Sequence, residues 1–502
     1  MKRDRQILAA ILGVYAALTI YGLGGLPGEW YGDISNVHEY VKEILEGKWP
    51  WYFLQSAGPV YHYAIAGLIG VIGQKHLQYK LASAAVGGGV VIAAFLLARK
   101  LAGPGVARIT AFITGVSFWT LVWARTGNSQ IIIPILSAIA IYSAEKFSKK
   151  PQAQNLLPGI VGVSAGMFTY PQCFVFPIIF SGWLLSRGKV KGMVIGSLGL
   201  IPALVIWGQV VVRDANNFTS GYVGQKIPKT EDWKNPETYL KLTRNFFKTA
   251  GMLHFKGEVS FRVNVPDSPH LDILSGWMFV LGIIYWWKKD RRMLLRIGAA
   301  MMVLALPSMS PAIPQAEIPN GGRAIGIIPL VYLITASGIM MVYERMKKSG
   351  QVAATIVLVV ILGAITGLNV FKYFGKYTRG LPNHNVPFGK IIAERIDRYS
   401  VTTKVFMASC CWGEWGQPEP KAIYYSLKHQ AGREDLIMAG NFVKDCKAVF
   451  STRPAVVFFD PRETDQIKDF EICLLHAKRE EYVENGEKAY VSLFIGADDQ
   501  SK

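Results

Sequence analysis

Long apolar runs recur along the first three-quarters of this 502-residue chain. Each runs for about 17–23 residues, enough for a helix rising about 1.5 Å per residue to cross about 30 Å of hydrocarbon. Helices satisfy their own backbone hydrogen bonds, so a chain patterned this way is a polytopic α-helical membrane protein. Its net charge of +19, from 54 basic and 35 acidic residues, would suggest nucleic acid in a soluble protein. Here much of the basic excess falls in short loops between apolar runs, which is the mark of membrane orientation. The bilayer, and no nucleic acid, is the expected partner.

The first run, 5–25, follows Met1-Lys-Arg-Asp-Arg5. No small-residue cleavage site follows it, and it is too long for a signal-peptide core, so it is expected to be retained with a cytoplasmic N-terminus. Residues 35–47 read as a short amphipathic helix, and the apolar stretch 57–73 as a segment lying on the outer face. Further spans are expected at 77–98, 106–123, 129–145, 156–170, 173–186, 192–211, 271–287, 295–310, 324–343 and 351–371. The fifth and sixth form a hairpin turning at Tyr170-Pro-Gln172. About eleven spans place every basic cluster inside, whereas a crossing at 57–73 would turn every later one out. The scheme makes 1–374 a transmembrane domain with outer loops at 27–76 and 212–270.

Residues 375–502 read as an extracytoplasmic α/β domain. Strand-like runs at 404–407, 448–450, 455–459 and 489–494 alternate with helical patterns at 388–399 and 464–477. Four of the five cysteines, Cys410, Cys411, Cys446 and Cys473, fall here. Outside the cell they can pair, and buried free thiols are an equal alternative; their spacing fits no zinc motif.

Candidate chemistry gathers at the outer ends of the spans. Asp33 sits just past the first span, at the depth where a carboxylate is partly desolvated and can serve as a base. Lys80, Arg125, Arg262 and Arg323 also fall at outer ends, where the positive-inside rule disfavours cations. Four together suit an anionic phosphate, which arginine holds through a bidentate fork. Tyr31, Tyr61, His38 and Glu39 are candidate sugar or acceptor contacts. No glycine-rich phosphate loop follows a strand, so no nucleotide site is expected.

Several segments resemble one family. They are Tyr31-Gly-Asp33 with its following helix, Gly58-Pro-Val-Tyr61, Lys80-Leu-Ala-Ser83, Ala124-Arg-Thr-Gly127 and the glycine-rich stretch ending at Tyr170. The most specific are Arg262-Val-Asn-Val-Pro266, Pro269-His-Leu-Asp272 and Pro319 followed by Arg323-Ala-Ile-Gly-Ile-Ile-Pro329. In order and spacing they resemble the GT-C glycosyltransferases of the protein O-mannosyltransferase and aminoarabinose-transferase type. The resemblance implies transfer of a hexose or pentose from a polyprenyl-phosphate-linked sugar to a hydroxyl of a protein or glycolipid acceptor on the outer face. It also implies that the first-loop acid, Asp33, is the general base. Many relatives carry an aspartate after the arginine matching Arg125, and it helps hold a metal or the donor. Here Gly127-Asn128 follows, so a divalent metal cofactor is doubtful. A flippase for lipid-linked sugars would place charges near the midplane and show repeats. It remains the alternative, with a non-catalytic member of the fold.

Overall fold

The computed structural model describes residues 2–28, 32–53, 58–169, 175–221, 223–380, 387–408, 420–430, 442–484 and 486–497, with backbone alone at 32, 33, 420, 421, 442 and 487. The chain divides into two compact units. One comprises Met1–Leu23 and Val37–Gly375; the other comprises Gly24–Asn36 and Lys376–Lys502.

The first unit is helical. Its opening elements are α1 (Lys2–Ile20), the C-terminal part of α2 (Gly32–Leu45), α3 (Val60–Ile72) and α4 (His76–Ala102). They continue through α5 (Pro104–Val116), α6 (Phe118–Thr126), α7 (Ile133–Lys149), α8 (Leu157–Met167), α9 (Val175–Ser186), α10 (Val190–Gly199) and α11 (Ile201–Arg213). Helices Pro236–Gly251, Ile273–Lys289, Arg291–Ala305, Ile328–Lys347 and Gln351–Val370 complete it. Among the described residues four helices are long and apolar enough to cross a membrane, or six if two bent pairs each count as one span. The helix of 325–347 lies at the centre, 89% buried across its apolar window, whereas that of 351–380 is 17% buried and lies at the rim.

Two expected spans are broken. The run 106–123 divides at Ser117, with a bend of 52° between α5 and α6. Ser117 caps the new helix, its hydroxyl accepting from the Thr120 amide, and a side chain that satisfies an orphan N–H makes a helix start. The run 192–211 divides at Leu200 with a bend of 48°, where Pro202 enters α11 at its first turn. The segments at 57–73 and 156–170 shorten to 13 and 11 helical residues. The expected turn at 170–172 lies outside the described residues.

The unit has two chemically distinct ends. At one, Asp4 of α1 pairs with Arg108 at 2.8 Å and Arg99 at 3.4 Å. At the other lies Lys80, nineteen residues up α4, or about 28 Å away at about 1.5 Å per residue.

The second unit carries a five-stranded mixed sheet. Its strands are β1 (Lys404–Ala408), β2 (Phe442–Val443), β3 (Ala455–Phe459), β4 (Lys478–Glu484) and β5 (Glu487–Ile495), in spatial order β2-β1-β3-β5-β4. Pairs β1–β2 and β1–β3 are parallel; β3–β5 and β4–β5 are antiparallel. Strand alternation divides the core. Val405, Met407, Val456 and Phe458 face Ile391, Ile392 and Ile396 of helix Phe388–Ile396, while Phe406, Val457 and Phe459 pack with Ile467 and Phe470 of helix Thr464–Cys473. Residues 448–450, expected as a strand, fall in the short helix Lys447–Phe450, before which Asp445 Oδ1 accepts from the Lys447 amide at 3.0 Å. Cys446 is bonded to Cys473. Cys410 and Cys411 lie outside the described residues.

Candidate active site at one end of the helical unit

The short helix α6 organises the end that holds Lys80. Its sequence, Phe-Trp-Thr-Leu-Val-Trp-Ala-Arg-Thr, is buried all round, which marks a helix enclosed by protein. Arg125, at its last turn, is wholly buried. Its Nη1 donates to the carbonyls of Leu18 (2.8 Å) and Thr19 (2.7 Å), and its Nε to the Tyr373 hydroxyl at 2.8 Å. The guanidinium also lies 4.9 Å from the Tyr373 ring centre and 5.2 Å from that of Phe374. The two carbonyls belong to the last turn of α1, where helical partners run out. Arg125 thus acts as the C-terminal cap of α1.

Lys80 is fully buried on α4 and donates from Nζ to the Leu23 carbonyl, just beyond the same helix end. Tyr61 of α3 is buried, its hydroxyl donating to the Gly127 carbonyl at 3.3 Å, and Ser83 of α4 donates to the Trp123 carbonyl at 3.3 Å. On α2, His38 Nδ1 meets the Tyr79 hydroxyl at 3.0 Å. Burial, with a smaller push from Lys42, lowers the His38 pKa to about 4, so the ring is neutral at physiological pH. Glu39 is half-buried on the same helix.

Arg323 approaches from the loop preceding helix Ile328–Lys347. It is 7% exposed, its amide donates to Asn320 Oδ1 at 2.9 Å, and its guanidinium is paired with Glu317. Lys226 lies 3.4 Å from the same carboxylate. Burial of Glu317 opposes ionisation, but the hydrogen bond and charge of Arg323 together with Lys226 outweigh it and hold the carboxyl below its ordinary range. Arg262 lies half-buried in the loop between helices Pro236–Gly251 and Ile273–Lys289.

A buried polar cluster, of which the sequence pointed only to His270 within Pro269-His-Leu-Asp272, ties these loops to α6. The Gly321 amide donates to Glu258 Oε2 at 3.0 Å, and Glu258 Oε1 lies 3.6 Å from His270 Nε2. His270 stacks on Trp119 of α6 with ring centres 4.3 Å apart. Burial first, then the charge of Lys372, pushes the His270 pKa well down, so this is a neutral ring beside a carboxylate. The loop needs its glycines. A Cβ on Gly321 would come within 2.6 Å of the His270 ring, and one on Gly322 within 2.4 Å of the Trp123 indole.

The described residues bring Lys80, Arg125, Tyr61, His38, Glu39, Arg262 and Arg323 into one unit. Asp33 stands in the first turn of α2, in the segment Gly24–Asn36 that belongs to the second unit, and is described by its backbone alone. Tyr31 lies outside the described residues. Gly127 takes the left-handed position after α6, with φ of 80°, a site that a side chain occupies only with strain. No group of three or more His, Cys, Asp or Glu side chains forms a metal-sized cluster among the described residues.

Residues 56–210 match the family model described as dolichyl-phosphate-mannose-protein mannosyltransferase. Over nearly its whole length the chain is similar in structure to ArnT from Cupriavidus metallidurans bound to undecaprenyl phosphate, with 13% identity, a TM-score of 0.57, and 98% of each chain covered. The fold is that of the GT-C membrane glycosyltransferase superfamily. A second GT-C neighbour is the oligosaccharyltransferase AglB from Archaeoglobus fulgidus in complex with an inhibitory peptide and a dolichol-phosphate. It shows 11% identity and a TM-score of 0.55, covering 97% of this chain and 74% of that one. A third, the mycobacterial arabinofuranosyltransferase AftD, shows 11% identity and a TM-score of 0.51, covering 99% of this chain and 40% of that one. No curated protein matches by sequence.

Proposed function

We propose that this protein transfers a hexose or pentose from a polyprenyl-phosphate-linked sugar to a hydroxyl of a protein or glycolipid acceptor at the outer face of the cell membrane. The observation that carries this reading is the end-to-end GT-C likeness, 98% of each chain, to a protein bound to undecaprenyl phosphate. A polyprenyl phosphate leaves readily once the charge developing on its bridging oxygen is offset by fixed cations. Arg262 and Arg323 are the proposed cations, while Lys80, fully buried against the Leu23 carbonyl, helps to fix the chain just beyond α1. Glu317 serves as the resting partner of Arg323, and an incoming phosphate takes its place. Arg125 contributes by fixing the end of α1 rather than by touching phosphate.

Asp33 is the proposed general base, withdrawing the acceptor proton on the face opposite the leaving phosphate. Its place at the start of α2, directly after the first span, supports this. His38 and Tyr61 shape the acceptor side, and neutral His38 adds no competing positive charge. The bonded pair Cys446–Cys473 supports an oxidising, extracytoplasmic setting for 375–502, and with it the eleven-span scheme with the N-terminus inside.

The test is transfer from radiolabelled polyprenyl-phosphate hexoses and pentoses by the full chain in liposomes. Asp33→Asn retains the size and hydrogen bonding of the side chain but removes the base. It is expected to lower turnover by roughly 10²–10⁴-fold with donor binding retained. Turnover near that of the unsubstituted protein would remove Asp33 from the chemistry.

A further inference from the structure

At the end of the helical unit that holds Asp4, Arg99 and Lys149, away from the residues of the proposed transfer, lies a second cationic site. A cleft of about 440 Å³ is lined by Ser148, Ser186, Arg187, Lys189, Arg292 and Arg296. These come from the end of α7, the α9–α10 turn and the start of helix Arg291–Ala305, so three separate stretches of chain converge on it.

Its cations are of two kinds. Arg187 and Arg296 are fixed. Arg187 donates from Nε to Glu145 Oε2 at 2.9 Å and pairs with Oε1 through Nη2; Glu145 is wholly buried and also accepts from Trp183 Nε1 at 3.2 Å. Arg296 donates from Nη2 to the Ser186 carbonyl at 3.2 Å. The side chains of Lys189 and Arg292, in contrast, have no hydrogen bond or ion pair among the described residues. Among the described residues, Glu145 and Asp290 are the acids whose charges act on Arg296. Glu145 is shared with Arg187 and Lys149, and Asp290 is engaged in capping the next helix through the Met293 amide. The cleft therefore keeps uncompensated positive charge. The orientation rule accounts for basic residues in such loops but not for their convergence on a cavity.

We propose that this cleft binds the phosphodiester headgroup of an anionic membrane lipid. Lys189 and Arg292 supply the charge-assisted contacts on a floor fixed by Arg187 and Arg296. The apolar surroundings point to a lipid rather than to free phosphate. Leu185 of α9, Val190 and Val194 of α10, and Leu295 beside Arg296 are all exposed large apolar side chains. Within a few residues in sequence of the lining residues, they supply apolar surface for acyl chains, as basic pockets at helix ends do for acidic lipids.

The test is native mass spectrometry of the full chain in detergent with added phosphatidylglycerol or phosphatidylcholine. Phosphatidylglycerol is expected to be retained in preference. The double substitution K189Q/R292Q is expected to reduce that retention about tenfold, as suits loss of two charge-assisted contacts. The pair R345Q/K348Q, on other basic residues outside the cleft, should leave it unchanged. Excess inorganic phosphate should not displace the lipid. Equal retention of both lipids, equal retention by K189Q/R292Q, or displacement by inorganic phosphate would each overturn the assignment. Both exchanged side chains lack partners among the described residues, so the fold should tolerate their loss; equal melting temperatures would verify that.

Discussion

Removing the Arg125 side chain separates two roles that the sequence alone leaves merged, phosphate contact and helix cap. Arg125→Ala strips partners from the carbonyls of Leu18 and Thr19 and from the Tyr373 hydroxyl, in a site with no solvent exposure. Each buried polar group left unpartnered costs about 1–3 kcal/mol. With partial relaxation the three together should cost about 3–5 kcal/mol. Arg125→Lys should recover part of this, since one ammonium can reach a carbonyl but cannot span both α1 and Tyr373. Fluorescence-detected thermal unfolding in detergent reads the stability, and the liposome assay reads the transfer. A cap predicts that the melting temperature falls in the order Arg, Lys, Ala, with activity in the surviving folded fraction largely preserved. Unchanged melting with lost transfer would refute the cap and return Arg125 to the donor phosphate.

Glu317 has a folded-state pKa held below its ordinary value, so its ion pairs contribute stability fully above pH 4.5 and lose it as pH falls through the lower folded value. Amide protection in residues 309–323, corrected for the intrinsic pH dependence of exchange, should therefore fall as pH drops below 4.5, and Glu317→Gln should remove that dependence. Gly322→Ala forces a methyl group into the Trp123 indole and should cost about 1–3 kcal/mol in unfolding assays while shifting Trp fluorescence. A reporter fused after Lys376 should be active outside the cell and one after Lys149 inside; the reverse for Lys149 would invert the proposed orientation.

What the sequence disclosed follows the range of the forces involved. The amphipathic reading of 35–47 overlaps α2, and the β-branched runs at 404–407 and 455–459 fall in β1 and β3, because local periodicity decides such elements. Strand β4, Lys-Arg-Glu-Glu-Tyr-Val-Glu, escaped notice as a charged edge strand whose pairing comes from β5. The break at Ser117 was readable in principle, since serine is a favoured first residue of a helix and stands out inside an apolar run. Glu258 was not readable, and His270 stood out only as part of Pro269-His-Leu-Asp272, with no role attached. Each is a single polar residue in a loop, and their value lies in meeting Gly321 and Trp119 across long sequence separations. Arg125 was found for its unusual location, yet its partners on α1 and at Tyr373 are contacts that no local pattern encodes.

Helix α6 is only nine residues long, yet four distant parts of the chain take their position from it or from the glycine that ends it. Trp119 seats His270, Trp123 seats Gly322, Arg125 seats the end of α1, and Gly127 seats Tyr61. Such a shared datum lets loop segments between the seats change length or composition without disturbing the alignment of the rest. Changes in 223–250 or 309–316 can then be absorbed without moving the other seats. An insertion within α6, by contrast, would rotate every seat after it by about 100° and misalign all the walls at once.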